Sequence, residues 1–374
     1  MTIARWTRGR DNSFDLLRLI AAGLVLLSHS FALAASGEPQ IGSHSVGFFG
    51  VEVFFAISGF LVVQSWALDA RVSAFAIKRG LRILPALAVV VLLSAFVLGP
   101  LLTTRSLGDY LTSTETLRYP VQNLVSVATG GLVGGPAYEL PGVFASNPHD
   151  ASVNGSLWTL PVEVDAYAML VLLGLTGLLR RALPVLAIAA VAATSAPSVL
   201  EGVPVLGSRV DAVALLGVFA IGSLLYLHRD RVPLRFDVAA VLLVAAIAAL
   251  GTPLERLTST LAIPYLVLVA AYRTSPRARS LTRRGDVSYG LYLLAFPVQQ
   301  TLLAVWGGPH PAPLVLFAVS LPLTYALAYL SWRLVESQAL KAKKHLLTLR
   351  RRSVPAPVAE PVPAPVTSSN RRVR

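Results

Sequence analysis

The stretch FDLLRLIAAGLVLLSHSF, residues 14–31, carries Arg18 near one end and His29 near the other of an otherwise apolar run. On an α-helix, eleven steps of about 100° return to within roughly 20° of the start, about 16 Å further along the axis. The two side chains therefore share a face, three turns apart. A run of this length suits a hydrocarbon core of about 30 Å. Ionisable groups inside a membrane face a protein interior or a watery cavity and not lipid. The sequence thus points to a membrane helix with a functional face.

Composition extends that reading to the whole chain. Of 374 residues, 55% are hydrophobic and only 14% charged, where soluble domains carry roughly 25% charged. Ten apolar spans are expected near 14–35, 48–68, 82–102, 156–179, 182–200, 210–228, 236–251, 257–273, 286–306 and 312–333. The fold class is all-α, a polytopic membrane protein of about ten helices with both termini cytoplasmic. With that topology, 27 of the 32 basic residues fall on the cytoplasmic side and four (Arg105, Arg118, Arg209, Arg256) outside. The net charge of +13 is then topological, and no nucleic-acid partner is expected. Trp66, Trp158, Trp306 and Trp332 fall at span ends, where indoles sit among headgroups.

The chain has no cysteine, which excludes disulfides and a cysteinyl acyl intermediate. No metal site, P-loop or dinucleotide fingerprint is present. Residues 1–13 read as a cytoplasmic lead-in, 14–337 as one membrane domain, and 338–374 as a basic, Pro-rich, disordered cytoplasmic tail. The longest loop, 103–155, is assigned to the outer side; its VQNLVSVAT segment could dip into the interface. Basic residues, an apolar run and ALA at 32–34 also imitate a cleavable signal. Arg18 and His29 inside the run argue for a retained span.

Sorted by depth, His29, Glu52 and Glu163 are compatible with one outer-half cavity, with Asp165 close by. Arg79 and Arg82 lie one turn apart at the cytoplasmic mouth, as fork-shaped donors suited to phosphates. Plainer readings stand beside these: positive-inside anchors for the arginines, snorkelling for Arg18, a polar cap for Glu52, helix–helix contacts for His29 and Asp165. His44 and His149 read as solvated loop residues. His228, His310 and His345, at span ends or in the tail, carry no special signal. A histidine oriented by a carboxylate can act as a general base towards a hydroxyl.

Six segments in order resemble the acyltransferase-3 family of integral membrane acyltransferases. They are Arg18 to His29 after FDLLR, GVEVFFAISGFL at 50–61, and Arg79 with Arg82 before Pro85. The others are SLWTLPVEV with Trp158 and Glu163, VSYGLYLLAFPV at 287–298, and WRLVES ending the last span. Two positions depart from the family pattern: Ala295 stands where histidine is frequent, and Ser337 where proline often follows the glutamate. The first puts more weight on His29.

The resemblance implies transfer of an acyl group, usually acetyl, from cytoplasmic acyl-CoA to an acceptor hydroxyl on an envelope glycan, glycolipid or similar molecule. It implies His29 as general base, with Glu52 and Glu163 orienting it or the acceptor. Arg18, Arg79 and Arg82 would bind the coenzyme, and Trp158 and Asp165 the acceptor. The expected setting is the lipid bilayer of a bacterial inner membrane, with no metal. A proton-coupled transporter of a small anion or sugar stays open as the alternative from the residues alone, although no internal repeat supports it.

Overall fold

A computed structural model describes residues 1–7, 9, 11–148, 151–195, 210–273, 285–306 and 309–343. His149, Arg209, His345, the basic stretch 277–284 and the Pro-rich tail lie outside the described residues. The longer helices are α1 Phe14–Leu33, α2 Val46–Leu68, α3 Val72–Leu102, α4 Thr114–Ala128, α5 Thr159–Leu175 and α6 Leu179–Ser195. They continue with α7 Val210–Leu227, α8 Phe236–Ala248, α9 Glu255–Arg273, α10 Ser288–Ala304 and α11 Pro313–Lys343. Among the described residues the only sheet is a hairpin of β1 Gln40–Ile41 and β2 His44–Ser45.

Six of these helices are long and apolar enough to cross a membrane: α1, α2, α3, α5 with the 3-10 turn Gly155–Trp158 before it, α7 and α11. The other expected spans are also helical, but α8 has only 13 residues and α9 carries Glu255, Arg256 and Arg273 at its ends. The third helix begins at Val72, ten residues before the expected 82, so Lys78, Arg79 and Arg82 are helical side chains and not loop anchors. Pro85 lies within it.

α2 is central: 72% of its apolar window is buried, against 22% for α11. It packs on α1, α5, α7 and α9. The α2–α7 contact is close because glycine permits it. A Cβ at Gly59 would overlap the Phe219 carbonyl oxygen, and one at Gly222 would meet that of Ala56 at 2.5 Å. Ser223 Oγ then donates to the Gly59 carbonyl at 3.1 Å, a backbone-to-backbone approach typical of packed membrane helices.

The long loop 103–155 is partly helical. α4 lies along α3 and α5, and its last turn, Val127–Ala128, borders an apolar groove beside Arg79 and Tyr167. Asn123 ties the returning chain to α4, donating to the Tyr119 and Ala137 carbonyls at 3.0 and 3.1 Å and accepting from Ala137 N at 3.1 Å. α4 is amphipathic and not uniformly apolar, which is why hydropathy alone reads it as loop.

Candidate active site

Two cavities flank α5. The narrower, about 80 Å³, lies towards the face of the molecule that carries the N-terminus. Arg18 enters it from α1, Ser58 from α2, Arg79 and Arg82 from α3, Glu163 from α5 and Tyr289 from α10. The wider, about 740 Å³, opens among the loop 130–155, α5 and the start of α7. Trp158, Asp165, Tyr138, Glu139, Asp211 and Phe296 line it.

Helix phase explains the division. Residues 159, 160, 163 and 167 of α5 face the narrow cavity, while 158, 161, 162 and 165 face the wide one. Two residues along a helix turn the side chain by about 200°, so Glu163 and Asp165 serve different cavities. α10 runs past both: Tyr289 and Tyr292 line the narrow cavity, and Phe296, one turn on, the wide one. Between them Tyr292 Oη meets Thr159 Oγ1 at 2.6 Å and donates to the Ser156 carbonyl at 2.9 Å.

Charged and hydroxyl-bearing side chains meet in the narrow cavity against apolar walls. Glu163 Oε1 accepts from Ser58 Oγ at 3.0 Å and from the Tyr167 hydroxyl. Asp286, just before α10, pairs with Arg82 and lies 3.6 Å from Arg18. Its second oxygen accepts from the Ser288 backbone N–H at 3.2 Å and from the Ser288 hydroxyl. Arg82 also lies 3.9 Å from buried Glu336 and faces the Tyr289 ring at 5.8 Å. Tyr289 in turn donates to the Ile83 carbonyl at 2.9 Å. Arg79 sits over the Tyr167 ring at 5.8 Å.

His29 is half-buried on the same face of α1 as Arg18. Its ring meets Phe296 edge-on, with centroids 5.2 Å apart, so it stands behind a wall of the wide cavity. Gln299 fixes α10 against α1 there, donating to the Leu26 carbonyl at 2.9 Å and to Ser30 Oγ at 2.6 Å. Glu52 is 2% exposed and lines neither cavity. Its charged neighbours are Arg256, Asp211 and Glu255. The three residues grouped by depth thus occupy three places: Glu163 by the arginines, His29 behind Phe296, and Glu52 in the interior.

Sequence reasoning did not single out Asp286, Ser58, Tyr167, Tyr289 or Tyr292. A carboxylate heading VSYGLYLL was the available signal for the first. His44 is not a solvated loop residue either. It is 7% exposed, and its Nδ1 lies 3.0 Å from Glu255 Oε1. Among the described residues no three His, Asp or Glu side chains gather to hold a metal.

Apolar helices around an arginine-lined cavity and an open chamber define an integral membrane protein with two internal cavities. The chain belongs to the acyltransferase-3 family: the family's sequence model, described as an acyltransferase domain, matches residues 11–333. It is 32% identical to a nodulation protein 10 of Rhizobium leguminosarum bv. viciae, covering 91% of this chain and 96% of that protein. It is 30% identical to an O-acetyl transferase of Shigella phage Sf6, covering 91% and 99%. No solved structure is significantly similar.

Proposed function

We propose that the protein is an acyl-CoA-dependent O-acyltransferase of a bacterial cytoplasmic membrane, with ten spans and both termini inside. It transfers an acetyl group to a hydroxyl of a cell-envelope or exported carbohydrate. The observation that carries this reading is the alignment of α1 and α10. Arg18 and Asp286 meet at one level, and His29 and Phe296 meet about three turns further along. A donor cavity and an acceptor chamber then lie in sequence across the molecule. The O-acetyl transferase relative supports the same chemistry.

In this reading the coenzyme enters from the arginine-bearing face, which the positive-inside rule makes cytoplasmic, and its phosphates meet the guanidinium groups. The acceptor sugar occupies the chamber between Trp158 and Asp165. Once the Phe296 ring that separates it from the chamber turns aside, His29 takes the proton of the acceptor hydroxyl as that oxygen attacks the thioester carbonyl carbon. The C–S bond breaks, the ester forms, and the thiolate of the coenzyme leaves and is then reprotonated. Glu163, in the narrow cavity, orients the acyl end of the donor, and Glu52, which lines neither cavity, takes no part in the transfer. Glu163 is held for this by two hydroxyl donors.

The test uses membranes carrying wild-type chain or His29→Ala at matched, verified levels. Acetyl-labelled acetyl-CoA is supplied on the cytoplasmic side, and label is counted in glycan and lipid fractions. Label that needs the intact histidine supports the assignment. Equal label from both proteins sinks the general-base role, and none from either removes acetyl-CoA as donor.

A further inference from the structure

One side chain stands between His29 and the wide chamber. Phe296 is a lining residue of that chamber, yet it is only 6% exposed. Its ring meets His29 with centroids 5.2 Å apart, and Leu33, Leu303 and Leu316 share its buried cluster. It also rests on bare backbone: a Cβ at Gly155 would stand 2.8 Å from Phe296 Cε2 and 3.0 Å from Cζ. His29 itself lines neither cavity.

Gly155 is held against that ring from two sides. Asn154, just ahead of it, donates to the Leu293 carbonyl at 2.9 Å, one turn before Phe296. Gln300, one turn after Phe296, donates to the Ser152 carbonyl at 2.8 Å. Asn147 donates to the Gln300 carbonyl at 2.9 Å. Asn154 and Gln300 are both buried. The end of the loop 103–155 is thus strapped to α10 one turn before and one turn after the ring.

Such a clamp has a chemical use. A base beside a thioester can deprotonate water as well as a sugar hydroxyl, and a chamber of about 740 Å³ has room for many waters. The water oxygen would then bond to the carbonyl carbon, and the C–S bond would break. Acetic acid and the coenzyme thiol would leave, one water proton passing through His29 to the sulfur. Excluding water from the base prevents this loss of donor.

Resting on the His29 reading above, we infer that Phe296, seated on Gly155, selects the nucleophile: it seals His29 from chamber water and yields only to a bound sugar. Uncovering a buried phenylalanine side chain costs about ten- to a hundredfold in population. A single water does not offset that. A sugar held between Trp158 and Asp165 does, because substrate binding energy is available to assemble the site.

The full chain in lipid nanodiscs tests this with diethyl pyrocarbonate, whose attachment to His29 is localised by mass spectrometry without donor or acceptor. Exposed His310 is the internal reference. Phe296→Ala should speed attachment at His29 about tenfold or more relative to His310, and Phe296→Tyr should stay near wild type. Gly155→Ala keeps the ring but wedges it from its seat, and should give an intermediate rate. A second arm supplies acetyl-CoA without acceptor and reads free thiol, to which this cysteine-free chain adds nothing. Phe296→Ala should release thiol about tenfold faster than wild type, and the Phe296→Ala, His29→Ala double variant should not.

Equal attachment in wild type, Phe296→Ala and Gly155→Ala overturns the seal; acceptor label that still needs His29 would then leave the base reading standing. Faster attachment with no rise in thiol release overturns the selection of nucleophile. If His29-dependent label is absent as well, the base reading falls with it.

Discussion

Glu163 and Asp165 show what one residue's phase decides. Both are carboxylates on one helix, two positions apart, yet one faces the arginines and the other the open chamber. Placing them in sequence by depth alone put them together, because depth is blind to rotation about the helix axis. Their replacements should therefore fail differently. Glu163→Gln loses the charge that Ser58 and Tyr167 hold, and is expected to lower kcat by about tenfold or more, the scale of a group that orients a reacting carbonyl. Asp165→Asn is expected to raise KM for the acceptor several-fold, leaving coenzyme binding unchanged. Steady-state kinetics with the acceptor fraction found by labelling would check both, and identical kcat and KM changes in the two variants would refute the two-sided helix. By contrast, Arg18 and His29 were legible from spacing alone, because eleven residues return a helix to the same face whatever its neighbours are. Asp286 was not, since its role exists only where three chain segments meet.

At the scale of elements, two contacts set the bundle. The α2–α7 crossing leaves no room for a side chain at Gly59. Gly59→Leu should cost about 3 kcal/mol or prevent insertion of a folded chain, since overpacking a tight contact costs about 1–3 kcal/mol. Detergent-solubilised unfolding would show it, whereas Gly108→Leu, with open space around its Cβ, should change little. The second contact joins the β1–β2 hairpin to the start of α9. Glu255 accepts from the backbone N–H of Ser43 at 2.8 Å and of Gly251 at 2.7 Å, with His44 Nδ1 at 3.0 Å. Gly42 allows this with φ +63, and a Cβ there would strike the Glu255 carboxyl at 2.5 Å.

Burial raises the Glu255 carboxyl, but the Ser43 and Gly251 amides and His44 outweigh it and hold the pKa at about 2. Burial and then Arg256 push His44 below its usual 6.5, against the pull of Glu255; its Nε2 is also buried without a partner. Both folded values lie below the unfolded ones, so the unfolded chain binds more protons and acid weakens the latch. Its stability is complete above about pH 6.5, declines first as His44 titrates, and declines again from 4.5 towards 2. The thermal midpoint should fall between pH 7.5 and 5.5, and less so in His44→Gln. A midpoint rising over that range would contradict the assignment. None of this was legible in sequence, because the partners lie 211 positions apart and loop histidines are ordinarily solvated.

For the whole molecule, four expected crossings, α6, α8, α9 and α10, lie outside the six counted, and α8 is the shortest of them. Thirteen residues of α8 span only about 20 Å of helix rise, short of the roughly 30 Å of hydrocarbon, and α9 carries charges at its ends, so length and composition leave this helical pair uncounted. The contacts at its ends argue that it crosses. Before α8, Leu234 N donates to the Met1 carbonyl at 2.9 Å and Ile3 N to Val232 at 3.0 Å. After it, Glu255 holds the hairpin that follows α1. At the far end of α9, Ser13 N donates to the Ala271 carbonyl at 2.8 Å, just ahead of α1. Both helices therefore run between the two levels that the ends of α1 define, and if α1 crosses the membrane they cross with it. The cysteine-free chain makes this measurable with single replacements and a membrane-impermeant maleimide on intact cells. Thr252→Cys, before α9, and Ser106→Cys, after α3, should label from outside. Ala70→Cys, between α2 and α3, and Asp230→Cys, between α7 and α8, should label only after permeabilisation. Labelling of Thr252→Cys and Asp230→Cys from the same side would show that α8 stays in one leaflet. The ten-span topology would then fall, although the α1–α10 alignment that carries the site would not.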